Sequence, residues 1–174
     1  MKLSKLFSLL LLLLLIGCSD TYQLVKHETS DASLSRGATA YILLPGDGHY
    51  ESIIYPGSGV IVAREIKNAF QPYLKEIRVA PQLTGFDIGI ASARAEGFDY
   101  VIQPEISHWE DRNTLWSSIP DKASIKLSII DVNSGLIIDS AELGGTSKIM
   151  TFTNDPPEVL LPKPLADYAE SLFK

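Results

Sequence analysis

The chain has 174 residues, with 15 lysines and arginines against 21 aspartates and glutamates and a formal net charge of −6. That balance excludes the basic stripe a nucleic-acid partner demands, and the length suits one ordinary domain around one core. The only cysteine is Cys18, so no intrachain disulfide can form and stability must come from packing.

The chain opens on Lys2 and Lys5, an unbroken apolar run over residues 9–16, then Gly17 and Cys18. A basic start, a short apolar stretch and a small-residue exit describe an export signal. The run is too short for a stable membrane span, which needs about 20 apolar residues. Residues 15–18 (LIGC) resemble the bacterial lipobox. The resemblance implies a lipoprotein signal peptide over residues 1–17 and Cys18 as the new N-terminus, carrying thioether-linked diacylglycerol and a further acyl chain such as palmitate. Ser19, in place of the aspartate that favours inner-membrane retention, implies an outer-membrane location facing the periplasm. Loss of Lys2 and Lys5 would leave 13 basic residues against 21 acidic ones, a net charge of about −8. Lipid rather than charge must then hold the protein to a membrane.

Residues 19–36 are polar and rich in Ser, Thr and Asp without a sustained apolar period. With Cys18 they read as a lipidated, flexible tether over 18–36, spanning roughly 20–25 Å as a coil. A single α/β domain is expected over 37–174. Residues 38–44 (ATAYILL) predict a buried strand, stopped by Pro45 and Gly46. A helix follows with Val62, Ile66, Ala69, Phe70 and Tyr73 on one face and Ser58 as its N-cap. A short strand is predicted at 77–80, a helix at 88–96 with Gly97 as its C-terminal stop, and a long strand at 98–108. Two helical crossovers between three strands imply parallel pairing with right-handed connections.

Residues 122–132 alternate, with Ala123, Ile125, Leu127 and Ile129 on one face and Lys122, Ser124, Lys126 and Ser128 on the other. That is a half-solvated antiparallel strand. Residues 133–135 (NSG) turn it back into a fifth strand at 136–148, with Gly135 at a positive-φ position. Pro164 suits the first turn of a last helix whose apolar face is Leu165, Tyr168, Ala169 and Leu172. The order β-α-β-α-β-β-β-α makes a two-layer α/β sandwich with a mixed five-stranded sheet.

The densest polar cluster, residues 108–113 (HWEDRN), follows the third predicted strand. On an extended chain His108 and Glu110 share one face, and Trp109 and Asp111 the other. Arg112 can pair with Glu110 or Asp111. Pro104 marks an edge or a bulge in this strand. A metal or acid–base site would draw on His49, His108, Glu110 and Asp111, but three convergent ligands are not evident. Trp109 and Trp116 flank a long loop and either anchor a partner or fold back on the core. The glycine pairs at 46/48 and 57/59 precede a helix without the spacing of a phosphate loop, and neither a nucleophile elbow nor a zinc-protease motif occurs.

The lipobox, the run GFDYVIQPEISHWEDRNTLWSSIPDK and the ending LLPKPLADYAESLF together resemble the domain-of-unknown-function family 4823 of proteobacterial lipoproteins. The resemblance implies a lipoprotein and carries over no catalytic residues. The element order is also similar to the amino-terminal domain of the Tol translocation protein and to lipoprotein activators of peptidoglycan synthases, and fold does not establish function. The expectation is a non-enzymatic outer-membrane lipoprotein without a cofactor, acting as an interaction or assembly module of the cell envelope. Its membrane contact would run through lipid on Cys18. Its envelope protein partner would meet a surface drawn from His108, Trp109, Glu110, Asp111, Arg112 and Trp116. The alternative is a periplasmic lipoprotein that binds a small ligand or metal, with or without hydrolysis. A third reading is a homo-oligomer built on an exposed sheet edge.

Overall fold

A computed structural model describes residues 20–29, 33–112, 120–147 and 156–173. The signal peptide expected over residues 1–17, and Cys18, lie outside the described residues. Among the described residues, eight strands and three α-helices follow in chain order. They are β1 (Thr21–Thr29), β2 (Thr39–Ile42), β3 (His49–Tyr50), β4 (Ile53–Ile54), α1 (Ser58–Phe70), β5 (Glu76–Val79), α2 (Phe86–Ala95), β6 (Tyr100–Glu110), β7 (Lys122–Asp131), β8 (Ile137–Thr146) and α3 (Pro162–Leu172). A 3-10 turn, Pro157–Leu160, precedes α3.

The mixed α/β sandwich is built on a sheet of order β1-β8-β7-β6-β2-β5, with β3 and β4 as a separate hairpin. It has six strands where five were expected. The sixth is β1, antiparallel to β8 from Thr21↔Thr146 to Thr29↔Asp139. Nine residues of the stretch expected to be a tether, Thr21–Thr29, are therefore an edge strand. Its Leu24 sits opposite Leu143 and its Lys26 opposite Ala141, so a polar-looking segment lends side chains to the helix-covered face. Lys26 Nζ lies 3.8 Å from the buried Asp139 carboxylate and over the Tyr168 ring. Edge strands commonly carry such charges, which blunt pairing with other chains.

β2 sits between β5 and β6 and is parallel to both. The crossover through α1 steps one way along the sheet and that through α2 steps back the other. Two right-handed crossovers in opposite directions place their helices on opposite faces. The packing agrees. Val62, Ile66 and Phe70 of α1 join Leu165, Tyr168 and Leu172 of α3 over Ile102, Ile125, Leu127 and Leu143. Ile90 and Ala93 of α2 pack on Tyr41, Val101 and Ile130 from the other side. The two-layer arrangement thus holds over β8 and β1, and α2 adds a layer over β2, β6 and the end of β7.

Phe70 meets Tyr168 and Phe173 edge-on at 6.3 and 6.2 Å, and Tyr73 stacks on Phe173 at 4.9 Å. Such aromatic pairs contribute about 0.5–1.5 kcal/mol each beyond area burial and clamp α1 to the chain end. Gly135 has φ +72° in the β7–β8 turn, and Gly97 has φ +77° beyond α2, as their positions required.

Ser58 is not the N-cap of α1. Gly57 holds that position, and the Ser58 hydroxyl donates to the Tyr55 carbonyl at 2.7 Å while accepting the Gly48 N–H at 2.8 Å. Asp47 Oδ1 accepts the N–H groups of Gly57 and Gly59 at 3.1 and 2.9 Å. A carboxylate from the preceding loop therefore fills the electropositive helix end, the place a phosphate would occupy. The glycines turn the chain and let it approach Asp47.

Candidate functional site

Three local features place the polar cluster. β2 ends at Ile42, so β6 beyond Ile102 has β7 on one side only. Pro104, which cannot donate to a ladder, stands in that half-open part, as its residue type implied. Two positions on, the β6–β7 register jumps from Ile106↔Ile125 to His108↔Ser124, leaving Ser107 as an extra residue. Such a bulge re-aims the side chains that follow it. Before it Ile102 and Ile106 face the main core, and after it Trp109 does. His108 and Glu110 are thereby turned to the other side.

Glu110 is 4% exposed. His108 Nε2 lies 3.0 Å from its Oε2, and the Arg112 Nε–H donates to its Oε1. Burial would raise the Glu110 pKa, but the hydrogen bonds from His108 and Arg112, reinforced by the guanidinium charge, hold it below its ordinary value. Tyr50 covers the pair from the β3–β4 hairpin. Its ring meets His108 at 5.3 Å and lies 5.3 Å beneath the Arg112 guanidinium, which also donates to the Tyr50 hydroxyl at 3.3 Å.

A second carboxylate stands behind the first. Asp121 Oδ1 accepts the Arg112 N–H at 2.6 Å, and Asp121 exchanges backbone and side-chain bonds with Ser147 at 2.9 Å. Burial pushes the Asp121 pKa up, the Arg112 N–H draws it back, and the carboxylates of Asp111 and Glu110 push it further up. Asp111 Oδ1 is shielded from solvent and, among the described residues, accepts no hydrogen bond.

The structure therefore brings His108, Glu110 and Arg112 together and adds Tyr50, Asp121 and Ser147, none of which sequence spacing could link to them. Trp109 is a correction to the expected surface. It is 3% exposed and belongs to the core, fixed by Gly48, where a Cβ would come within 2.6 Å of Trp109 Cβ. Glu110 is likewise a buried member of the cluster rather than part of a contact surface. Trp116 lies outside the described residues. His49 is exposed, and among the described residues no group of three or more His, Cys, Asp or Glu side chains is placed to hold a metal. His49 therefore does not complete a site with His108, Glu110 and Asp111. Chemically, the cluster is a buried carboxylate neutralised on both oxygens, with His108 and Arg112 each about one-third exposed at its rim.

Among the described residues no helix is long and apolar enough to cross a membrane. The fold is similar to a PelC dodecamer from Paraburkholderia phytofirmans, at 17% identity and a TM-score of 0.65, covering 84% of this chain and 96% of that one. Protein XCC0632 from Xanthomonas campestris, described as DUF330, aligns at 8% identity and a TM-score of 0.49 over 83% of this chain and 87% of its own. Lipoprotein GNA1162 from Neisseria meningitidis aligns at 13% identity and a TM-score of 0.43 over 62% and 81%. No curated protein matches the sequence. A family model described as a domain of unknown function, DUF4823, matches residues 32–172, and the chain belongs to that family.

Proposed function

We propose that the protein is a lipid-anchored component of the bacterial outer membrane, facing the periplasm and acting as a non-enzymatic interaction or assembly module. The observation that carries the non-enzymatic part is the internal neutralisation of the charged cluster. Both Glu110 oxygens accept hydrogen bonds from His108 and Arg112 and the side chain is buried, so the anion is paired inside the protein rather than presented to a substrate. Support for anchoring is the lipobox ending at Cys18. Support for assembly is the similarity in fold to a chain whose solved form is a dodecamer. The binding surface would be the rim of the cluster, the partly exposed His108 and Arg112. In-cell photocrosslinking from positions 108 and 112 is expected to capture one defined envelope protein or a second copy of this chain. Repeated failure with a folded, expressed protein would overturn the reading.

One observation favours a second reading, binding of a small ligand or metal. Among the described residues Asp111 Oδ1 is shielded without a donor, beside Asp121, an arrangement a bound cation would relieve. A thermal shift with zinc, calcium or magnesium that is abolished in Asp111→Asn would establish it, and flat melting curves would remove it.

A further inference from the structure

The strand register ties the chain start to the polar cluster across the whole sheet. Thr21 of β1 is opposite Thr146 of β8, Thr146 is opposite Lys122 of β7, and Lys122 is opposite Glu110 of β6. These four residues form one transverse row at one end of the sheet, roughly 15 Å wide at the usual strand spacing. The opposite end carries the β7–β8 turn with Asn133, roughly 30 Å further along β7.

Only Ser19 and Asp20 separate Cys18 from Thr21. Three residue steps reach at most about 11 Å. The headgroup layer of one leaflet is itself roughly 6 Å deep. A chain lipidated at Cys18 has no slack with which to stand off from the bilayer. The exposed apolar side chains of β1 fit the same orientation. Leu24 and Val25 lie in the half of the strand nearer Cys18, and the polar run from Lys26 lies in the far half.

We propose that the sheet end marked by Thr21, Thr146, Lys122 and Glu110 is a membrane-apposed face seated on phospholipid headgroups, with the Asn133 turn directed away from the bilayer. The inference rests on lipidation at Cys18. It adds an orientation and a location for the His108–Arg112 rim, which then meets its partners close to the membrane surface.

The test uses the full lipidated chain, purified from membranes and reconstituted in phosphatidylethanolamine–phosphatidylglycerol vesicles. Lipid caps Cys18, so a single new cysteine in Lys122→Cys or Asn133→Cys takes a fluorophore specifically. With a headgroup-attached quencher, the Lys122→Cys label is expected to be quenched several-fold more than the Asn133→Cys label. Inserting fifteen Gly and Ser residues between Ser19 and Asp20, a coil of roughly 20 Å, should abolish that difference while the chain stays membrane-bound. Equal quenching of the two labels in the uninserted, membrane-bound chain overturns the orientation alone. Recovery of the chain without lipid overturns both the orientation and the anchoring.

Discussion

Glu110 experiences two opposed forces, burial that favours the neutral acid and two donors that favour the anion, and the donors prevail. A carboxylate whose folded pKa lies below its unfolded value adds stability at neutral pH. That stability is lost as pH falls below the ordinary value of 4.5 and through the folded one. Glu110→Gln is therefore expected to lower stability at pH 7 by about 2 kcal/mol. This is less than the loss from breaking a fully buried pair, because His108 and Arg112 are partly solvated. It should also flatten the fall in stability below pH 4.5, and urea denaturation across pH 3–7 measures both. At this scale the sequence was partly legible. Alternation along an extended chain puts His108 and Glu110 on one face, and they do meet. Alternation says nothing of which face is buried, and Trp109 is turned to the core by the bulge at Ser107, which only the pairing with β7 reveals.

Gly48 links the β3–β4 hairpin to the site. A methyl group there would collide with Trp109 Cβ and Ile106 Cγ2 at 2.6 and 2.8 Å. Gly48→Ala is expected to destabilise by about 1–3 kcal/mol and to move Tyr50 off His108, visible as a changed His108 ring shift by NMR. That hairpin gave no sequence signal, because its strands have two residues each and Glu51, at φ +52°, occupies a turn position where glycine is the usual cue. β1 was missed for a different reason. An edge strand half in water shows weak alternation, and the β-forming Thr21, Tyr22 and Val25 were its main trace. Deleting residues 21–29 would remove Lys26 from the buried Asp139 and bare the β8 edge. The expected result is a loss of about 2 kcal/mol or more with a gain in self-association, read by denaturation and light scattering. The strands and helices with strong periodicity, β2, α1, β6, β7 and α3, were legible because their apolar faces are nearly complete.

For the molecule as a whole, the proposed anchor and the fold belong to different stretches. Cys18 precedes the first strand, so Cys18→Ser is expected to leave the melting temperature of the α/β domain unchanged and to move the protein from the membrane to the soluble fraction. Membrane fractionation with calorimetry checks both halves of that statement. The crossover order was readable from two helices between three parallel strands. The second face of the sheet was not, since only the return step from β5 to β6 across β2 sends α2 to the opposite side. Strand order is a long-range property that local periodicity does not carry.

Ser107 makes the parity of β6 a structural variable. Counting from Ile102, even positions point to the core up to Ile106 and odd ones from Trp109. Deleting this one residue would restore a single alternation with His108, Trp109 and Glu110 still opposite Ser124, Ala123 and Lys122, so ΔSer107 is expected to keep Trp109 buried and unfolding cooperative, and to remove only the local bend of the bulge. The strand therefore tolerates length changes at the bulge and beyond its last ladder pair, and insertions or deletions across related chains should collect there.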